Sequence, residues 1–240
     1  ERKRNNLYNF NIQVSYMKNP FRVFTFLIIL LFVPLEKADA SGFNLGINKV
    51  ESFSLNEDVS KPELCFFSSA PLEDIEGYVA PGKISSSLKI NPSDIESASG
   101  EVVFKVSGMK TGIDKRDEHL RSSDWLDASK YPDISFKLNS FTNVKFAGES
   151  SESGRASVKA SAAGVFSMHG KSRKMEIPVK MTYMKESTET KKRAQGDFLW
   201  VEGSFKITLA EYDIKGFKGI IGSKVGEEID VKFKLYYTSK

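Results

Sequence analysis

The sequence predicts an all-β domain of about eight antiparallel strands with one short helical segment. Three observations carry the prediction. After Pro132, apolar residues recur at every second position in run after run, the pattern of strands with one dry and one wet face. No stretch after Ala40 sustains a long helical period. With 40% hydrophobic and 28% charged residues over 240 positions, the chain is globular and large enough for a substantial core.

The first segments are read as lying outside that domain. Met17-Lys18-Asn19-Pro20-Phe21-Arg22 is a short basic head, followed by an almost uninterrupted apolar run from Val23 to Val33. Pro34 ends the run, and Ala38-Asp39-Ala40 offers small residues where a signal peptidase cuts. The run is too short to span a bilayer as a helix, so residues 17–40 are expected to be a signal peptide. Residues 1–16 read as an over-extended start. Export to the periplasm follows as the expected location, with an extracellular one as the variant. Residues 41–61 form a lead-in, either a flexible stretch or a first edge strand, and 62–240 form the barrel-type domain.

Within that domain, Leu64-Cys65-Phe66-Phe67 and Ile75 to Val79 are the first apolar runs, and Pro81-Gly82 makes a turn. Ile84, Leu88 and Ile90 share one face. Pro92 to Ser99 reads as polar turn, and Val102, Phe104 and Val106 share the next face. The helix starts near Asp114, which is expected to cap it with Asp117 as the reciprocal acid. Asp117 and Arg121 lie four apart, in ion-pair register. Pro132 excludes helix at Tyr131 and closes the segment. Thereafter the alternating sets are Ile134, Phe136 and Leu138; Val144 and Phe146; Ala156, Val158 and Ala160; and Phe166 with Met168. The run from Met175 to Tyr183 follows, then Phe205, Ile207 and Leu209, and last Ile229 to Tyr237. One-sided strands in this number close a barrel or stack as a sandwich. A closed eight-stranded sheet either fills with side chains or encloses one small ligand.

Chemistry-bearing motifs are sparse. Ser41 to Lys240 is nearly neutral, with 29 basic and 28 acidic residues, which removes the compositional case for nucleic acid as a partner. One cysteine excludes an internal disulfide and a cysteine metal knuckle, and Cys65 in its apolar run reads as a buried small hydrophobe. His119 and His169 are the only imidazoles and neither sits in a spaced ligand cluster, so no metal is expected. The glycines at 216, 219, 222 and 226 lack phosphate-loop spacing before Lys224 and read as turn and bulge residues. No nucleophile elbow is present. Asp114, Asp117 and Glu118 are neutralised by Lys115, Arg116 and Arg121 and suit a solvated helix. No catalytic residue is assigned.

The run Arg116-Asp117-Glu118-His119-Leu120-Arg121, with Trp125-Leu126 and Tyr131-Pro132 at their distances, resembles the YceI-like family of exported polyisoprenoid-binding proteins. Phe166 to Gly170 with Ile177-Pro178-Val179, and Phe205 to Tyr212 with Val225 to Val231, agree with it. The resemblance spans roughly Pro62 to Tyr237. It implies an extended eight-stranded antiparallel, lipocalin-like barrel in the periplasm, holding a polyprenyl quinone or its precursor in an apolar interior. Such a protein binds without catalysis, for transport or sequestration, and its one partner is the lipid itself; homodimerisation is left open. The turn Lys171-Ser172-Arg173-Lys174 is basic here, where the family's is more apolar. It suits either a solvent turn or an altered mouth.

An isoprenoid tail needs only shape and apolar area, at about 0.8 kcal/mol per buried methylene, while a few polar residues at a mouth select the head group. The candidates for the lining are Phe104, Phe136, Leu138, Phe166, Met168, Met181, Phe205 and Phe233, with His169 at a strand end beside Met168. The same alternation suits dry core packing, in which case the barrel is a filled structural or interaction module with no lipid.

Overall fold

The computed structural model describes residues 41–148 and 154–239. The signal segment 17–40 and residues 1–16 lie outside the described residues. The strands are β1 (Glu51–Leu55), β2 (Glu63–Ser69), β3 (Asp74–Val79), β4 (Ile84–Asn91), β5 (Asp94–Lys105) and β6 (Met109–Lys110). After helix α1 (Asp114–Arg121) come β7 (Asp133–Gly148), β8 (Arg155–Met168), β9 (Lys171–Met184), β10 (Phe198–Thr208) and β11 (Glu228–Ser239). All belong to one antiparallel sheet. Eight of them, in the order β1-β4-β5-β7-β8-β9-β10-β11, close on themselves through the β1–β11 pairing.

The closure explains the three remaining strands. The last residues of β11, Tyr237 to Ser239, pair with β1, whereas its first half, Ile229 to Lys234, pairs with β2. β2, β3 and β6 therefore continue the wall upward at one end, beyond where β1 stops. That end also carries α1 and the loop between β10 and β11, and is called the mouth below. β1 comes from the lead-in and is no edge strand: both of its sides are paired.

The opposite end is plugged by residues 41–47. Phe43 and Leu45 are buried, the Phe43 N–H donates to the Pro92 carbonyl at 2.8 Å, and the Ile95 N–H donates to the Ser41 carbonyl at 2.9 Å. The Phe43 and Phe53 rings pack on Tyr183, with centroids 5.4 and 5.9 Å away. The Tyr183 hydroxyl sits between two carboxylates, Glu51 at 2.9 Å and Asp197 in a still shorter contact. Burial, then these two carboxylates, push its phenol well above the ordinary tyrosine range.

Five expectations are corrected, each for a local reason. Pro92 to Ser99 is mostly strand: β5 begins at Asp94, and a register shift between Lys89 and Asn91 puts Ile95 and Ala98 inward three residues apart, which erases the alternation. Phe146 points out of the barrel and is exposed, because bulges in β7 reset the phase so that Leu138, Phe141 and Val144 are the buried set. Asp114 is the first helical residue and Ile113 the cap, without a side-chain hydrogen bond, so there is no capping box. The Asp117 carboxylate turns back to Thr111 and Lys110 instead of reaching Arg121. Cys65 is only half-buried, on the face opposite Leu64 and Phe66, where burial and the nearby Glu63 and Glu76 push its thiol upward.

Candidate functional site

The barrel interior is hollow. A chamber of about 250 Å³ lies under the mouth, and a second of about 90 Å³ lies deeper, among β4, β5, β7, β8, β9, β10 and β11. Leu64, Phe104, Phe166 and Phe205 line both and form the partition between them. Phe205 packs edge-on to Phe166 at 5.5 Å and tilted against Phe233 at 6.3 Å, so three rings in contact run from the partition into the deep chamber.

Glycines opposite aromatic residues help to keep this space open. Gly203 is the register partner of Phe233, and a Cβ there would fall 2.8 Å from the Phe233 ring. Gly164 pairs with Leu138, and a Cβ there would fall 2.6 Å from the ring of Phe136, two residues along. Both rings lie close over bare glycine backbone of a neighbouring strand while lining the deep chamber.

The structure brings most of the candidate lining residues together. Phe104, Phe166 and Phe205 stand in the partition, Met168 in the mouth chamber, and Phe136, Leu138 and Phe233 in the deep chamber. Two stand apart. Met181 is fully buried in the layer with Tyr183 and Leu199 toward the plugged end, outside both chambers. His169 occupies the first position of the two-residue β8–β9 turn, with φ of 50° before Gly170 at 72°, the left-handed pair of a type I′ hairpin. Its Nδ1 lies 2.8 Å from the Tyr212 carbonyl and its ring packs on Tyr131. It ties the hairpin to the start of the β10–β11 loop and does not face the cavity. The basic turn after it is engaged on the outside: Lys171 pairs with Asp213 at 2.8 Å and Arg173 donates to the Glu211 carbonyl at 3.0 Å.

The mouth chamber also has walls that alternation could not reveal. α1 and the turn after it contribute His119, Leu120, Trp125 and Leu126, and the β10–β11 loop contributes Ile214, Phe217, Ile220 and Val225. The Phe217 ring meets His119 at 5.2 Å and Trp125 at 6.3 Å, both edge-on. Gly216 has φ of 59°, and a Cβ there would press 2.9 Å from the Trp125 ring, so glycine is what lets the loop close over the indole. A sequence signal existed for Trp125 and Leu126, in the motif itself; none existed for Phe217.

Polar groups gather at the rim, as Thr111, Arg116, His119, Lys224 and Glu73; deeper, the Ser86 and Tyr237 hydroxyls border the second chamber and bond to each other at 2.8 Å. Arg116 pairs with Glu73 at 3.2 Å, which ties α1 to the start of β3. Asp117, whose side chain is 2% exposed, is held by Thr111 and Lys110. Burial raises its carboxyl pKa, but the Thr111 hydrogen bonds and the Lys110 ammonium outweigh burial and hold it below the ordinary carboxylate range. Among the described residues, no three His, Cys, Asp or Glu side chains come together as a metal site, and none of their helices is long and apolar enough to cross a membrane. The arrangement offers an apolar hold with a polar, partly cationic rim.

The profile of the YceI-like domain matches residues 71–237. No curated protein matches the chain. Among solved structures, BcnA of Burkholderia cenocepacia is similar at 19% identity and a TM-score of 0.56, covering 76% of this chain and 98% of its own. A polyisoprenoid-binding domain from Saccharophagus degradans, implicated in plant cell wall breakdown, is similar at 14% identity and a TM-score of 0.55, with 79% and 99% covered. A YceI protein of Campylobacter jejuni is similar at 17% identity and a TM-score of 0.54, with 72% and 88% covered. At these identities the likeness is one of fold.

Proposed function

Because the chain belongs to the YceI-like family, we propose that it is a non-catalytic carrier of a long-chain isoprenoid lipid, a polyprenyl quinone or precursor, for transport or sequestration in the periplasm. The observation that carries the proposal is the pair of apolar chambers in line beneath a polar rim. A polyprenyl tail has no polar group to satisfy, and these walls offer almost none. The polyisoprenoid-binding neighbour from Saccharophagus degradans supports the same ligand class.

Magnitudes set the scale of the hold. At roughly 30 Å³ per liquid-packed heavy atom, the mouth chamber of about 250 Å³ takes about eight. At about 0.8 kcal/mol each, those carbons supply about 6 kcal/mol before ordering costs. A longer tail must displace the partition to reach the deep chamber. The head group stays at the rim, within reach of Arg116, His119 and Lys224. Phe104, Phe136, Leu138, Phe166, Met168, Phe205 and Phe233 serve as the lining, whereas His169 and Met181 support it from outside the cavity.

The test is mass spectrometry of organic extracts from protein purified under native conditions from the periplasm. A series of bound masses spaced by isoprene units is expected. Extracts free of any apolar ligand, together with failure of the purified protein to take up added polyprenyl quinone, would overturn the reading.

A further inference from the structure

The outer edge of the mouth carries a feature that holding a tail does not require. Three large apolar side chains are turned to solvent there: Leu72 is 71% exposed, Ile113 49% and Phe217 39%. They stand on three separate segments that the rim fastens together. The Leu72 N–H donates to the Ser223 carbonyl of the β10–β11 loop at 3.0 Å. Glu73, next to Leu72, pairs with Arg116, three residues after Ile113. Phe217 packs on His119, also of α1.

Charge is one-sided only at the tip of the loop, between Asp213 and Glu227, whereas Leu72 adjoins Glu73 and Asp74 and Ile113 adjoins Asp114. Residues 214–226 carry three lysines, Lys215, Lys218 and Lys224, all exposed, and no carboxylate. An apolar tip flanked by lysines, as Phe217 is by Lys215 and Lys218, with stems along apolar surface and the ammonium groups wet, is the composition of a protein edge that sits at a bilayer interface. Phe217 belongs to both settings, since it lines the chamber and is exposed at its edge.

We propose that the mouth docks on an anionic lipid surface, with Leu72, Ile113 and Phe217 entering the interfacial layer and Lys215, Lys218 and Lys224 facing the anionic head groups. The inference rests on the carrier reading for its purpose but not for its physics. Docking places the cavity opening against the bilayer, so an apolar tail passes between them without crossing open water. Charge complementarity selects a lipid surface as the occupant over a protein groove or a second copy of this chain.

The experiment is co-sedimentation of the mature protein with vesicles of phosphatidylcholine alone or mixed with phosphatidylglycerol, both free of isoprenoid. Binding to the mixed vesicles, weakening as salt is raised, is expected. At about fivefold per lysine near an anionic surface, Lys215→Gln/Lys218→Gln should partition roughly 25-fold less. Leu72→Ser/Ile113→Ser should also lose binding, at both salt concentrations. These four residues lie outside the chambers, so uptake of polyprenyl quinone in detergent should match the unaltered protein, which also reports folding. Equal partitioning onto neutral and anionic vesicles, unchanged binding by both variants, or sedimentation without vesicles through self-association would overturn the proposal. Docking by a protein that takes up no quinone would overturn the carrier reading and leave this one standing.

Discussion

Thr111 gives both its backbone N–H and its hydroxyl to one oxygen of the Asp117 carboxylate, each at 2.7 Å. The pair closes the path from β6 into α1 and replaces the capping box that the spacing of Asp114 and Asp117 suggests. It also fixes the helix that forms one wall of the mouth.

Asp117→Ala should therefore destabilise the fold by about 2 kcal/mol, since two donors of Thr111 lose their acceptor in a buried place. Urea denaturation measures it. The effect has a pH signature. The Asp117 carboxyl is held below its ordinary value near 3.8, so its stabilising contribution is complete above that pH and is lost as pH falls through the lower folded value. The urea midpoint of the natural protein should fall on acidification below about pH 4, and Asp117→Asn should lack that part of the fall.

Phe205 should act as the adjustable element of the partition. Phe205→Ala removes the ring shared by both chambers, at a stability loss of about 3 kcal/mol. Affinity for prenyl alcohols of increasing length, measured by displacement of a fluorescent apolar probe, should keep rising to longer chains in the variant than in the natural protein. Identical length profiles would show that the partition sets no limit.

Tyr183→Phe should separate the two ends of the barrel. It leaves Glu51 and Asp197 without their shared phenol, so a loss of about 2 kcal/mol is expected, read as a lower melting temperature. Tyr183 lies outside both chambers, so probe affinity should be unchanged.

His169→Ala should cost about 1 kcal/mol through the contact with the Tyr212 carbonyl. It should also weaken probe binding, because Tyr212 precedes the loop that carries Phe217. His169→Asn, which suits the left-handed turn, should recover the turn but not the loop anchor. Comparing melting temperature with probe affinity for the two variants distinguishes turn strain from loop position.

The barrel was legible in the sequence wherever strands keep phase. Phe166, Phe205, Phe233 and Leu138 follow the period of two, and the structure places them all on the hollow. Legibility failed where a bulge shifts phase by one residue, as at Ile95 with Ala98 and again at Phe146, because alternation then points to the wrong face. It failed differently at the mouth. Phe217 and Ile220 come from a loop with no period, which folds across Trp125 where Gly216 leaves room for the indole. Met181 shows the remaining limit: its alternation is perfect, but position along the barrel axis, which decides whether an inward residue meets space or a plug, is set by register between strands distant in sequence.

The seal formed by Phe43, Phe53 and Tyr183 makes the vessel a flask and not a pipe. A guest that slides in tail-first has to back out the way it came, head leading. For the proposed carrier, whatever accepts the guest next would meet the head before the tail is ever bare, and delivery would be a handover between two holders at a single doorway.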